Sequence, residues 1–522
     1  MANDVLSTTL SPIVEMATGK IRGSAGGGIY AFKGIPYGAS TGGTNRFRPP
    51  RPVIAWGGVR DTLAYHAKAP QSPAQVKRRA EMDNILGPVD DSAESEDCLT
   101  LNIWTPGPAG KRPVMVWLHG GAFAYGSGNR AVTDGTNLAR RGDVVVVSVN
   151  HRLNICGYLH LDDIGGERFA GSGNAGSLDI VAALEWVRDN IAAFGGDAGN
   201  VTIFGESGGG GKVSALLVMP AAKGLFHRAV IQSGAAVRFT TRERANALAA
   251  AVVKQLGGID KLQDVPLPAL LGAIIPASKA AGPRAFPLLD RYDFGPVVDG
   301  TMVTQHPAEP STSPLGDDIP LMIGGTAREA SLFLDDDAVW HRTLTEDQLR
   351  ERIAAVAGTE TDAALRLYRD LLPGASPGDR LIAALTGSNF SIRTWLYAER
   401  RAARSGENKA APVYHYSLDW PSPFAGGRMA AHHAMDLPFV FDTTDVPLST
   451  KDADGAPELA AAMAATWAAF AHNGKPDNPA IPAWPAYDAA DRATMVFDTR
   501  CRVVNDPLRE ARLLWGRVAA RA

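Results

Sequence analysis

Short unbroken apolar runs recur along this chain, separated by longer stretches of helical period. Val114 to Leu118, Asp143 to Asn150, Val201 to Phe204, Arg228 to Gln232, Leu321 to Gly324, Val413 to Leu418 and Met495 to Phe497 are such runs. Their length and β-branched content predict strands buried on both faces. Residues 176–193 repeat differently. Leu178, Val181, Ala182, Leu184, Trp186 and Val187 share one broad helical face, with Asp179 near its start, where the helix dipole favours an acid. Further helices are expected over Lys212 to Met219, over 241–256, in pieces over 345–405, over 455–473 and near 507–518. Strand–helix alternation predicts an α/β fold with a large, mostly parallel central sheet and helices on both faces. Ligands in such sheets bind at the carboxyl ends of the strands.

The chain opens differently. Residues 14–23 read as an N-terminal hairpin turning near Gly19, with Ile29 to Tyr37 continuing it. Residues 1–13 are expected to be flexible, and 14–518 to form a single domain with helical insertions around 240–315 and 335–410. Residues 72–97 are polar, charged and free of aromatic residues, and read as a surface excursion. It ends in S-E-D-C-L-T-L-N-I-W-T-P, whose alternating half predicts a strand. Asp335-Asp336-Asp337 reads as a solvated loop or a helix cap.

Composition narrows the function classes. With 45% hydrophobic and 20% charged residues in 522, the chain has ordinary globular composition. A net charge of -3 gives no pull toward nucleic acid or an anionic membrane surface. No run approaches the roughly 18 apolar residues of a spanning helix. The first dozen residues lack the basic start and apolar core of a secretory signal. Three cysteines, Cys98, Cys156 and Cys501, are too few for a disulfide framework and wrongly spaced for a metal site. They read as free thiols of a cytoplasmic protein, with a secreted or periplasmic one whose leader has been removed as the alternative.

One stretch carries chemistry. Gly205-Glu206-Ser207-Gly208-Gly209 follows the Val201 to Phe204 run and fits G-x-S-x-G, the nucleophile elbow. The same five residues also suit a plain strand-to-helix turn. A serine hydroxyl needs a base, and the base an orienting acid. In an elbow fold both follow the serine, acid first. Glu329 emerges just after the Leu321 to Gly324 run. Seven histidines follow Ser207, and only His432 and His433 come after a late strand through a glycine loop. Position does not separate these two. His119-Gly120-Gly121-Ala122-Phe123 supplies small residues after an early strand, so Gly121, Ala122 and Gly208 are the expected oxyanion-hole donors. Arg130 and Arg238 stand close enough in sequence to this chemistry to meet an anionic substrate, although solvated arginines are the commoner outcome.

With these motifs in view, the chain resembles the type-B carboxylesterases, the family of bacterial para-nitrobenzyl esterases and animal cholinesterases. The likeness rests on E-D-C-L-T-L-N-I-W-T-P at 96–106 and on F-G-G followed by V-T-I-F-G-E-S-G-G ending at Gly209. V-N-H-R-L-N at 149–154, L-F-H-R-A-V-I-Q-S-G at 225–234 and F-G-P-V-V-D-G at 294–300 extend it over roughly residues 14–516. The resemblance implies an α/β-hydrolase fold and a serine esterase acting on a small-molecule ester without cofactor or metal. It implies Ser207, Glu329 and His433 as the triad, since H-A-M-D-L-P-F-V-F matches from His433 and puts Asp436 three residues on. Ser233, Glu206 and Asp436 match residues that support the triad, and Arg46 with Glu96 matches a family ion pair. The family also contains adhesion proteins that lost triad members, so a non-catalytic binding protein is the alternative. Two departures stand out. Ala330 replaces the usual glycine after the acid, and Gly208 replaces the usual alanine after the nucleophile. The run Gly208 to Gly211 is expected to loosen the helix start and leave room around the oxyanion hole. No cysteine precedes Cys98, so the disulfide of secreted relatives is not expected, and without an aromatic residue in 72–97 a choline ester is not an expected substrate.

Overall fold

The computed structural model describes residues 11–71, 82, 84–283, 293–334, 336–406 and 410–521. The expected flexible start (residues 1–10), most of the first half of the 72–97 excursion (72–81 and 83), residues 284–292 of the first insertion, and Asp335 lie outside the described residues.

Every apolar run named above is a strand of one eleven-stranded sheet. Its spatial order is Arg502–Asn505, Ala493–Phe497, Val413–Leu418, Leu321–Thr326, Arg228–Gln232, Gly196–Glu206, Arg112–Leu118, Val145–Val149, Thr100–Thr105, Ile29–Pro36 and Ser24–Gly26. From Ala493–Phe497 to Val145–Val149 all neighbours are parallel, and antiparallel pairs finish both ends. Successive side chains of a strand face opposite sides, so each run feeds two cores. Val114, Val116 and Leu118 enter one core, with Val181, Leu184 and Val187 of the helix Ala175–Asn190. Met115 and Trp117 enter the other, with Met463, Trp467 and Phe470 of the helix Ala456–Asn473. This is the α/β-hydrolase architecture.

The structure corrects several details. The hairpin Ile13–Met16 with Gly19–Arg22 forms, but Ile29–Pro36 does not extend it; it pairs with Thr100–Thr105 in the large sheet. Thr100–Thr105 does not alternate, because neighbours cover both faces and all six residues are buried. In the helix Ala175–Asn190, Leu178 and Ala182 are only half-buried, while Ile180 and Ala183 are buried. Asp179 serves no helix dipole: it is buried and takes two bonds from the Arg152 guanidinium, at 2.8 and 2.6 Å. The described part of the 72–97 excursion is anchored, with Met82, Ile85 and Leu86 buried. Arg46 grips Glu96 with two bonds of 2.7 Å and donates a further bond of 2.6 Å to the Val265 carbonyl. Asp336 is a helix cap, its side chain accepting from the Val339 N–H.

Helices fill both insertions. Arg242–Gln255, Leu267–Gly272 and Ile274–Ala280 lie in the first. Glu346–Ala357, Thr361–Leu371, Pro377–Thr386 and Ile392–Gly406 lie in the second. Leu349, Ile353, Leu381 and Ile392 of that second group share a separate core with Leu514 and Trp515 of the last helix, Arg509–Arg521.

Candidate active site

Strand Gly196–Glu206 delivers Ser207 at its carboxyl end, and the helix Gly208–Leu216 starts at the next residue. Ser207 sits at φ 56°, ψ −120°, a backbone state that costs a non-glycine residue on the order of 1–3 kcal/mol. Its N–H donates to the Gln232 carbonyl at 2.8 Å, which helps hold the corner. From Val201 to Met219, Ser207 alone is not buried.

The glycine run does the opposite of what its composition suggests. All four glycines belong to the helix and are buried. A side chain at Gly208 would overlap the Ala122 backbone, and one at Gly209 would overlap the Leu118 carbonyl. At Gly210 it would come within 3.0 Å of Gly234, and at Gly211 within 3.2 Å of Phe123. Glycine here permits close approach of backbone to backbone, so no room is left at Gly208 and the helix begins four residues earlier than the pattern predicts. The helix is packed down onto the loop after Arg112–Leu118.

That loop bends sharply. Gly121 has φ 88° and Ala122 φ 57°. Among the described residues, the N–H groups of Gly121 and Ala122 donate to no protein acceptor. Both residues are partly exposed, as Ser207 is. Gly120 belongs to the same corner: a Cβ there would lie 2.8 Å from the Glu206 carboxylate and 3.6 Å from Ser207 Cβ.

Two other strand ends converge on the corner. Leu321–Thr326 leads to Glu329, which is buried and folds back so that its Oε1 accepts the Thr326 N–H at 2.8 Å. The chain after Val413–Leu418 brings in His433, whose Nδ1 donates to Glu329 Oε2 at 2.5 Å. His433 Nε2 lies 3.1 Å from Glu206 Oε1, the residue before Ser207. The Nε2 side of the imidazole therefore faces the nucleophile elbow. His432 is turned away, its Nδ1 against the His433 carbonyl at 2.7 Å. Geometry thus separates the two histidines that sequence position leaves equal. Ala330 has no positive φ, so alanine fits there; it is buried and its N–H donates to Thr386 Oγ1 at 3.1 Å.

Ser233 and Asp436 lie near this pair in different ways. Ser233 ends Arg228–Gln232 and is buried with φ 54°. A Cβ at Gly325 would lie 2.5 Å from Glu329 Oε1 and 3.3 Å from Ser233 Oγ, so serine and acid share one wall. Asp436 does not touch His433 in any hydrogen bond described. It accepts from Gln232 Nε2 at 2.9 Å and from the Tyr416 hydroxyl at 2.8 Å, and Trp467 Nε1 donates to Gln232 Oε1 at 3.1 Å. Burial pushes its carboxyl up to about 6.

Sequence reasoning missed the aromatic setting of His433. Phe333 and Phe390 stack with centroids 5.7 Å apart, and each lies 5.0 Å from the His433 ring. Phe333 follows Glu329 by one helical turn, the one local signal that could have found it. The two arginines considered for anion binding are otherwise engaged. Arg238 pairs with Glu309 at 3.4 Å, and Arg130 donates to the Leu86 carbonyl at 2.8 Å. Among the described residues no cluster of histidine, cysteine and carboxylate has the makings of a metal site, and no helix is long and apolar enough to cross a membrane. Cys98, Cys156 and Cys501 are unpaired.

Burial, above all, pushes the Glu206 carboxyl up to about 8, with His433 working against that rise. A carboxyl raised above its unfolded value of about 4.3 binds its proton more tightly when folded. Its contribution to stability is full at low pH and disappears as pH rises toward 8. Glu206→Gln is therefore expected to gain stability relative to the parent as pH goes from 5 to 8. The ceiling is about 1.4 kcal/mol for each pH unit crossed, and the His433 contact keeps the effect below it. Thermal melts of both proteins at the two pH values measure this, and parallel pH dependences would refute it.

A strained serine between strand and helix, an acid after a later strand and a histidine after a still later one define an α/β-hydrolase. The comparisons name the family within that class. The sequence model of the Carboxylesterase family matches residues 10–514. The para-nitrobenzyl esterase of Bacillus subtilis is 37% identical over 96% of this chain and 97% of its own length. The phenmedipham hydrolase of Pseudarthrobacter oxydans is 34% identical over 93% of this chain and 94% of its own. Among solved structures, a carboxylesterase of Geobacillus stearothermophilus superposes with a TM-score of 0.81 at 37% identity, covering 96% of this chain and 99% of that one. This chain belongs to the carboxylesterase family.

Proposed function

We propose that the protein is a serine carboxylesterase in which Ser207, His433 and Glu329 act as nucleophile, base and orienting acid. The observation that carries the reading is the 2.5 Å bond from His433 Nδ1 to the buried Glu329 carboxylate, with Nε2 facing the elbow that holds Ser207. Ser207 Oγ attacks the ester carbonyl carbon while His433 Nε2 takes its proton. The carbonyl oxygen becomes an oxyanion, and the N–H groups of Gly121, Ala122 and Gly208 donate to it. Each such donor is worth about 3 kcal/mol at the transition state. The intermediate collapses to an acyl-serine, and His433 returns the proton to the departing alcohol. Water, deprotonated by His433, then releases the acid. Nothing observed favours the non-catalytic alternative.

The substrate reading is a small-molecule carboxylic ester. Support comes from the relatives, which include esterases and a phenmedipham hydrolase, and from the Phe333 and Phe390 rings beside the base. The unpaired cysteines support a cytoplasmic location as part of the same proposal.

A serine-directed fluorophosphonate tests the reading. The protein should gain the mass of one phosphonyl adduct, carried by the peptide containing Ser207, and lose para-nitrophenyl butyrate hydrolysis in step. An adduct elsewhere, or none, would overturn it.

A further inference from the structure

Lys212 is fully buried, five residues after the nucleophile, on the helix Gly208–Leu216. Nothing in the esterase chemistry above uses it. A buried ammonium is costly, and one near a helix N-terminus meets an unfavourable dipole as well. Its Nζ donates to the His119 carbonyl at 2.7 Å and stands 5.8 Å from the Phe123 ring. No ion pair among the described residues includes it. Burial pushes its amine well below the ordinary lysine range, and either protonation state can still donate to a carbonyl.

The acceptor is what matters. His119 is the first residue after the strand Arg112–Leu118, and its carbonyl belongs to the peptide that opens the His119-Gly120-Gly121-Ala122 loop. In a trans peptide the C=O and N–H point to opposite sides. Fixing that carbonyl on Lys212 fixes the plane from which the chain turns through Gly121, at φ 88°, and Ala122, at φ 57°. Glycine at 120 and 121 leaves this backbone intrinsically free to rotate. The His119 and His151 rings stack with centroids 5.0 Å apart, and His119 Nδ1 holds the Gly120 carbonyl at 2.7 Å. Lys212 also sits on the helix whose first residue, Gly208, supplies the remaining N–H.

We propose that Lys212 is a positioning residue that ties the two halves of the oxyanion hole together, holding the loop N–H groups of Gly121 and Ala122 in register with that of Gly208. This rests on the esterase reading. Lys212 does not touch the substrate; it keeps the donors aimed where the oxyanion forms, so it acts in the transition state and not in ground-state binding.

Lys212→Met keeps length and removes the donor. It should lower kcat for para-nitrophenyl butyrate about 10- to 100-fold and change KM less than about 3-fold. The affinity for an aryl trifluoromethyl ketone, whose serine adduct carries an oxyanion, should fall by the same factor as kcat. The thermal midpoint should shift by only a few degrees, because removal of a costly buried amine offsets the loss of the donor to the His119 carbonyl. Lys212→Gln, which restores an N–H donor, should recover part of kcat and of the ketone affinity, and it takes over as the test variant should the methionine variant fail to fold. A folded Lys212→Met with the parent's kcat would overturn the proposal, as would a loss of kcat with undiminished ketone affinity. Fluorophosphonate titration of the parent separates the two levels: a parent that takes no adduct at Ser207 refutes the esterase reading itself.

Discussion

Ser207→Ala is expected to lower kcat by a factor on the order of 10⁶ while leaving the fold intact. Alanine keeps the Cβ, so the strained backbone at φ 56° is neither relieved nor worsened, and the N–H to the Gln232 carbonyl survives. Only the hydroxyl goes. The oxyanion hole and the binding surface remain, and together they sustain a residual rate of about 10³–10⁴ over water. Coincident thermal melts and a para-nitrophenyl butyrate assay of parent and variant check both halves. A variant that keeps more than about a hundredth of the parent's kcat would take the nucleophile's role away from Ser207.

The second large effect is expected for Glu329→Gln, a fall in kcat of about 10⁴ at unchanged volume. The reason lies in what each carboxylate oxygen does. Oε1 accepts the Thr326 N–H at 2.8 Å, so the glutamine must place its carbonyl oxygen there. Its NH₂ then occupies the position of Oε2 and faces His433 Nδ1, which at present donates. Two donors cannot share that contact. The imidazole must shift its proton to Nε2, and the nitrogen that should take the serine proton is no longer a base. Burial of Glu329 keeps water from mending the contact. Kinetics of the purified variant across pH 6 to 9 measure the loss. A fall of less than about 10-fold would mean that another group orients His433.

Why the two residues could be picked out before any coordinates is a matter of chain order. The strand runs are legible because parallel strands are buried on both faces and leave few polar interruptions, as in Val114 to Leu118. The elbow was legible because its glycine spacing is forced by the turn. Once strands are placed, the residues just beyond their carboxyl ends form a short list, and Ser207, Glu329 and His433 were on it. What stayed hidden depends on approach in space. The glycine run looked like a loose helix start because the neighbours that need the missing side chains, Ala122, Leu118 and Gly234, come from other strand ends. Lys212 looked like any helix lysine, since its acceptor lies 93 residues back. In the sequence only resemblance favours His433 over His432; in the structure His433 is the one in contact with Glu329. The strand Arg502–Asn505 escaped because it is short and largely exposed, and a single edge pairing defines it.

The ordering bond from His433 to Glu329 spans 104 residues, and the Lys212 bond to His119 spans 93. The sheet pairings that carry these residues close loops of similar length, as Gln232 beside Gly324 does. Hydrolysis therefore depends on long-range pairing across the width of the sheet. A turnover assay thus reports completed tertiary assembly, where a helix signal reports only local order.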